Sequence, residues 1–292
     1  MYKILEKKEI AMRNTWYKIH APHVAKKTKP GQFVIVRAFK NGERIPLTPV
    51  MWDPEEGWIV LIVFARGKTT ARMAAELREG GEILNVAGPL GNPAEMKRFG
   101  KILAIGAYTG IVEVYPIAKA WQELGNDVTT LHVTFDPMVI LKDELEKAVG
   151  RHVLETVPID PNLDFPTNMK NVTGRLTEKV REMLENGHYD LVFMVGPTGD
   201  QKAVFDVVRE FGVPMKADLH PIMVDGTGMC GACRVTVGGE VKFACIDGPE
   251  FDAYQVAWDE LIARSGYYTD MEQRAMQEYM KLFEQALQGG EQ

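Results

Sequence analysis

Asp225-Gly226-Thr227-Gly228-Met229-Cys230-Gly231-Ala232-Cys233, followed by Cys245, is the stretch from which the rest of the chain can be read. It contains all three cysteines of the protein. Two thiols in C-x-x-C spacing, a third beyond a short hairpin-like segment and a carboxylate just upstream make a set of four donors. Sulfur ligands select soft metal sites, chiefly zinc and iron–sulfur clusters. The glycines at 226, 228 and 231 favour the second, because a loop around a [2Fe-2S] cluster must bring its backbone N–H groups against the sulfides. A zinc ribbon would add a second C-x-x-C or a C-x-x-H, and Cys245 has neither beside it. The pattern Asp-x4-Cys-x2-Cys-x11-Cys reproduces the plant-type C-x4-C-x2-C spacing with Asp225 in the first position. Asp225, Cys230, Cys233 and Cys245 are therefore the expected ligands of a [2Fe-2S] cluster. Three inert buried thiols, or a Cys230–Cys233 disulfide with Cys245 left over, are the competing readings.

Length and composition bound the rest. The chain has 292 residues, enough for two or three small domains with cores of their own. A net charge of −6 gives no electrostatic footprint for nucleic acid. Few cysteines and no signal-peptide pattern imply a reducing cytoplasm, and no apolar run reaches the length of a membrane span.

The segment before residue 100 is β-rich. Phe33-Val34-Ile35-Val36-Arg37 and Trp58-Ile59-Val60-Leu61-Ile62-Val63-Phe64 read as strands, Asn41-Gly42 as a hairpin turn, and Gly88-Pro89-Leu90-Gly91 as terminal punctuation. Short strands at this interval predict a small barrel. From Lys101 the pattern alternates strand and helix: Ile102–Ile105, a helix through Tyr115–Trp121, Asp127–Val133 and Asp190–Val195. That predicts a doubly wound parallel α/β unit. Thr156 to Thr173, with its prolines and asparagines, reads as a long loop. The tail predicts a helix with a capping box at Thr269 and Glu272, and with Met276, Tyr279, Met280, Phe283 and Leu287 on one face. That face packs on the chain's own core or meets a partner.

Two barrel motifs point to a flavin. In Arg44-Ile45-Pro46-Leu47-Thr48, a strand-end arginine can clamp a pyrophosphate while a hydroxyl and the backbone reach the ring. Gly67-Lys68-Thr69-Thr70 opens a helix, Ala71–Leu77, and makes an anion cradle. Thr69 and Thr70 also serve as simple helix caps. The two motifs together, within a barrel, favour FAD.

Barrel, α/β unit and three-cysteine loop, in that order and over nearly the whole chain, resemble the small subunits of the NADH-dependent reduced ferredoxin:NADP oxidoreductase, also called sulfide dehydrogenase small subunits. They belong to the ferredoxin–NADP reductase superfamily. The run from Pro221 to Gly231, Phe243-Ala244-Cys245 and Asp247-Gly248-Pro249-Glu250-Phe251 carry the resemblance. The sister family is the electron-transfer subunit of dihydroorotate dehydrogenase B, which normally uses four cysteines, so Asp225 favours the first branch. The resemblance implies a β-barrel over 1–98, a Rossmann-like unit over 99–215, a [2Fe-2S] subdomain over 216–262 and a C-terminal helix over 263–292. It places FAD on Arg44, Pro46, Leu47 and Thr48, with the pyrophosphate on Gly67, Lys68, Thr69 and Thr70. It also implies a heterodimer with a large NADPH-binding subunit that carries another FAD and two [4Fe-4S] clusters. That complex couples NADPH, NADH and ferredoxin by electron bifurcation, with this subunit on the high-potential branch.

One segment departs from that family. A Gly-Gly-Gly-x-Gly-Ile-Ala-Pro type of turn usually follows the first α/β strand. Here it is Gly106-Ala107-Tyr108-Thr109-Gly110-Ile111-Val112-Glu113-Val114. Gly106 and Gly110 remain as candidate nucleotide contacts. Tyr108 is bulky where a dinucleotide backbone approaches, and Glu113 puts a negative charge at a helix start that would receive phosphate. NAD(H) use is expected to be altered or lost, with another acceptor in its place. A self-contained NAD(P)H reductase and a zinc-bearing binding module are the readings from other classes. His220, next to Pro221, reads as structural, and Arg234 and Lys242 as a solvated hairpin face.

Overall fold

The computed structural model describes residues 1–278. The chain opens with β1 (Tyr2–Ala11), β2 (Asn14–His20), a short α1 (Pro22–Ala25), β3 (Phe33–Arg37), β4 (Ile45–Leu47), β5 (Pro49–Asp53), β6 (Trp58–Phe64), α2 (Lys68–Glu76), β7 (Glu82–Ile83) and β8 (Asn85–Leu90). These make two antiparallel sheets, ordered β5-β6-β2-β1-β7 and β4-β3-β8. Ile4, Tyr17, Ile19, Val34, Val36, Ile59, Leu61 and Val63 fill the space between them. Burying a side chain such as Ile59 in this way contributes about 1.5–3 kcal/mol. The run in β6 is apolar on both faces for a structural reason. Ile59, Leu61 and Val63 point into the barrel, while Ile62 joins a second core shared with the following domain. The Asn41-Gly42 turn joins two paired strands, with Val34 opposite Leu47 and Val36 opposite Ile45. Gly88-Pro89-Leu90 closes the last strand of the barrel, as expected. It lies within β8, at a register shift against β3 where the ladder absorbs an irregularity.

The second unit is a parallel sheet. Its elements are β9 (Lys101–Ala107), α3 (Ile111–Glu123), β10 (Asp127–Phe135), α4 (Lys142–Ala148), β11 (Arg151–Val157), α5 (Phe165–Asn186), β12 (Leu191–Val195), α6 (Thr198–Glu210) and β13 (Met215–Asp218). α3 and α4 cover one face through Ile111, Val114, Ile117, Trp121 and Leu145. α5 and α6 cover the other through Val172, Leu176, Val180, Val204 and Val208. Barrel and sheet are joined where Val50 and Ile62 pack into the α3 core.

The long loop expected between Thr156 and Thr173 is instead the end of β11, a short connection and a 22-residue helix. Pro166 and Asn168, with Asp164, are helix-start residues. The Asp164 carboxylate caps the helix by accepting from the Thr167 N–H at 2.8 Å, and Pro166 sits in the first turn, where its missing N–H costs nothing. Asn168 folds back onto the Asp160, Leu163 and Asp164 carbonyls and fixes the entry of the chain.

The last part comprises β14 (Arg234–Val237), β15 (Glu240–Phe243), a short α7 (Ala244–Asp247), β16 (Glu250–Asp252) and α8 (Trp258–Ser265). β16 pairs antiparallel with β13 and completes the order β11-β10-β9-β12-β13-β16. The cluster-bearing segment is therefore hydrogen-bonded into the α/β sheet. The expected boundary at 215 falls inside β13, and α8 starts ahead of the expected boundary at 263. The chain is helical again over 269–278. There the Glu272 N–H bonds the Tyr268 carbonyl, so Tyr268 rather than Thr269 holds the cap position. The turn bond from Thr269 N–H to the Gly266 carbonyl draws the helix start forward. Met276 is half-buried, and Tyr279, Met280, Phe283 and Leu287 lie outside the described residues. No helix among the described residues is long and apolar enough to cross a membrane.

Candidate functional site

The four expected cluster ligands fall into two close pairs. β14 and β15 form a hairpin turned by Gly238-Gly239, with Arg234 opposite Phe243. Closing that hairpin brings the flanking thiols side by side, Cys233 Sγ lying 3.2 Å from Cys245 Sγ. Cys230 Sγ lies 3.4 Å from Asp225 Oδ1. All three cysteines are free, which removes the Cys230–Cys233 disulfide reading. Cys233 and Cys245, at a sulfur separation of 3.2 Å, are likewise not bonded, a bond being ~2.05 Å.

The chemistry of the donors fits an iron–sulfur cluster. Cys233 and Cys245 are buried. Burial and the neighbouring Cys233 sulfur push the Cys245 thiol up to about 12. Such a pair ionises only against a compensating cation, which is how metal sites hold buried thiolates. On the outer side Asp225 is already prepared as an anion. The Thr227 N–H bonds its carboxylate at 3.0 Å and the Cys230 N–H at 3.1 Å, and these bonds, Thr227 first, hold it below the usual carboxylate range. Gly226 adopts φ +76°, and a Cβ there would stand 2.7 Å from Ile35 and 2.9 Å from Leu90. Only glycine lets the loop lie this close against β3 and β8.

The barrel motif lies directly against this loop. Arg44 donates from Nε to the Val224 carbonyl at 3.0 Å and from Nη2 to the Asp225 carbonyl at 3.1 Å. Pro46, Leu47 and Thr48 line a cavity of about 210 Å³ between the barrel and the sheet, closed on the far side by Glu113, Asp218, His220 and Met223. In the second flavin motif, Gly67 precedes α2 and a Cβ there would meet nothing within 4 Å. Thr70 is occupied as a cap, its hydroxyl accepting from the Arg66 and Gly67 N–H groups at 3.1 Å. The Thr69 hydroxyl bonds the Glu43 carboxylate, and Lys68 Nζ lies 3.9 Å from the same group. The Glu43 carboxylate thus engages Thr69 and neighbours Lys68 at this helix start.

The α/β turn is filled by protein. It sits between β9 and β12, the point where strand order reverses and where open α/β sheets take their ligands. A Cβ on Gly106 would lie 2.5 Å from Ile111 Cα, and one on Gly110 would lie 2.3 Å from the Val195 carbonyl oxygen. Both glycines, expected as nucleotide contacts, are buried and serve the packing of the turn itself. Tyr108 holds the left-handed conformation, φ +51°, and buries its ring against Phe135. The buried His132 supports it, Nε2 lying 2.9 Å from the Tyr108 carbonyl.

His220 is not a packed structural side chain. It faces the cleft, 40% exposed, with Nε2 2.5 Å from Glu113 Oε2 and 3.6 Å from Asp218 Oδ1. Sequence reading missed this group because its members come from α3, from β13 and from the segment after it. Lys242 pairs with Glu240 and Arg234 bonds the Gly231 carbonyl, as a solvated hairpin face does.

Residues 220–257 match the family model for the iron–sulfur cluster binding domain of dihydroorotate dehydrogenase B. The chain is 43% identical over 280 residues, 96% of its length and 95% of the relative's, to a Thermotoga maritima protein named as a homolog of the dihydroorotate dehydrogenase B (NAD(+)) electron transfer subunit. It superposes at a TM-score of 0.85, with 39% identity over 96% of this chain and 98% of the other, on a chain of the NADH-dependent reduced ferredoxin-NADP oxidoreductase, solved in a study of flavin-based electron bifurcation. Phthalate dioxygenase reductase, 15% identical with a TM-score of 0.54 over 81% of this chain and 85% of its own, shares the fold alone. On this identity and coverage, the chain belongs to the family of oxidoreductase electron-transfer subunits that includes those of dihydroorotate dehydrogenase B and the matching chain of the NADH-dependent reduced ferredoxin-NADP oxidoreductase.

Proposed function

We propose that this chain binds FAD on its barrel and a [2Fe-2S] cluster on Asp225, Cys230, Cys233 and Cys245, and that it passes electrons between them as the small subunit of a flavin-based bifurcating NAD(P)H:ferredoxin oxidoreductase. The observation that carries the reading is the contact of Arg44 with the Val224 and Asp225 carbonyls, which holds the cluster loop against the flavin motif. When bound, the cluster exchanges single electrons and FAD exchanges one or two, so the pair can join one-electron iron–sulfur partners to a two-electron acceptor. The protein's own residues supply position and charge. Cys233 and Cys245 hold the buried side of the cluster, and Asp225 with Cys230 the exposed side. Pro46, Leu47 and Thr48 seat the ring, Arg44 and the start of α2 take the pyrophosphate, and a large FAD- and [4Fe-4S]-bearing subunit would dock at the exposed face.

The acceptor is proposed to differ from the family's NAD(H). Tyr108 and Gly110 fill the turn where a dinucleotide would approach, and Glu113 brings a carboxylate to the start of α3. Electron transfer to a dihydroorotate dehydrogenase of the B type is the second reading, favoured by the match over 220–257.

Anaerobic titration of the purified complex, first with NADH and then with NADPH, separates the readings by visible absorption and EPR. Reduction by NADPH but not by NADH is the expected result. Direct reduction of this subunit's flavin by NADH would overturn the altered acceptor. Reduction by dihydroorotate would support the second reading.

A further inference from the structure

The wall of the cleft opposite Pro46, Leu47 and Thr48 carries Glu113, Asp218 and His220, the one group of three such side chains whose ligating atoms lie within 4.8 Å of one another among the described residues. Asp218 is 3% exposed, and its Oδ1 has no hydrogen-bond partner. A buried, unpartnered carboxylate oxygen aimed at an imidazole is costly unless it holds or exchanges a proton. Glu113 holds the same imidazole nitrogen, Nε2, at 2.5 Å.

We propose that Glu113, Asp218 and His220 form an acid–base site that supplies protons to the flavin ring as it is reduced, with His220 as the donor and the two carboxylates positioning it. This rests on the FAD assignment above. The step balances as FAD + 2e⁻ + H⁺ → FADH⁻. The electrons arrive by way of the iron–sulfur loop, and the proton leaves His220 Nδ1, the imidazolium nitrogen that Glu113 does not hold, as an N–H bond forms on the ring. His220, being partly exposed, recovers its proton from water.

The charged surroundings favour this role. Withdrawal from water lowers the proton affinity of His220, but the Glu113 charge and hydrogen bond, with Asp218 behind, raise it to about 9. Burial and the neighbouring Glu113 keep Asp218 well above the usual carboxylate range. Glu250, on β16, adds to that effect but is itself held by Lys216, which also pairs with Glu95. From α6, the side chain facing Asp218 is the uncharged Gln201, which donates to its carbonyl. Among the described residues, His220 is thus the one basic group facing Glu113 and Asp218 directly.

The test is the flavin midpoint potential of the full-length chain, loaded with FAD and cluster, measured spectroelectrochemically from pH 7 to pH 10.5. Below about pH 9 His220 is protonated in both flavin states. Above it the oxidised protein has lost that proton, and the added negative charge of reduction draws it back. The pH dependence should therefore steepen by one proton per electron pair above about pH 9. The break should disappear in His220→Gln and move to lower pH in Glu113→Gln, with flavin content unchanged. A break that survives in both variants would overturn the proposal. So would a stoichiometric divalent metal in the purified chain that is lost in Glu113→Gln, since the group would then be a metal site. An unmutated chain that takes up the cluster but no flavin would instead overturn the FAD assignment, and the proton site with it.

Discussion

The guanidinium of Arg44 donates to the backbone carbonyl of Asp225 at 3.1 Å across a sequence separation of 181 residues. One side chain thereby ties the barrel motif to the first residue of the cluster loop. A guanidinium has five N–H donors, and the two used here leave three for a phosphate. Arg44→Ala should weaken FAD binding by about 1.5–3 kcal/mol, roughly 10- to 150-fold in Kd. It should also speed release of the cluster to a chelator. Fluorescence titration and the decay of visible absorption measure the two effects, and they should appear together.

Asp225 replaces a soft sulfur with a hard oxygen of the same charge. Asp225→Cys should still assemble a cluster, lose it to chelator roughly tenfold more slowly, and give shifted EPR g-values in the reduced state. An unchanged spectrum would remove Asp225 from the ligand set.

The turn after β9 makes a stability prediction. Gly110→Ala drives a Cβ to 2.3 Å from the Val195 carbonyl oxygen, an atom of the sheet that cannot step aside. A loss of about 1–3 kcal/mol is expected in denaturant unfolding. Gly67→Ala meets open space and should stay within about 0.5 kcal/mol of the unmutated chain, while reducing FAD affinity.

His132 is fully buried, and loss of hydration lowers its pKa from 6.5 to about 3. Folding therefore favours the neutral ring. Its contribution is fully present above pH 6.5 and is lost as the pH falls toward 3, because the unfolded chain takes up the proton first. The loss amounts to roughly 4 kcal/mol over that window. Urea midpoints between pH 7 and pH 4 should fall more steeply for the unmutated chain than for His132→Gln.

These sites differ in how far the sequence exposes them. Cys230, Cys233 and Cys245 are legible because cluster chemistry demands fixed local spacing, and β3 and β6 because two-sided burial writes an unbroken apolar run. Asp164 and Pro166 misled because residues that start helices also populate loops, and only the cap bond to Thr167 tells the two apart. The Arg44–Asp225 contact and the Glu113–His220–Asp218 group follow from the closure of barrel on sheet. No local pattern records that closure, since each side chain alone reads as an ordinary surface charge.

The central claim is that this chain itself carries the [2Fe-2S] cluster beside a flavin. Visible absorption and low-temperature EPR of the purified chain, as isolated and after dithionite reduction, test it most directly. Flavin bands with a broad iron–sulfur shoulder, a rhombic signal near one spin per chain on reduction, and loss of that signal in Cys245→Ser are the expected result. Stoichiometric zinc with no reducible signal would contradict it.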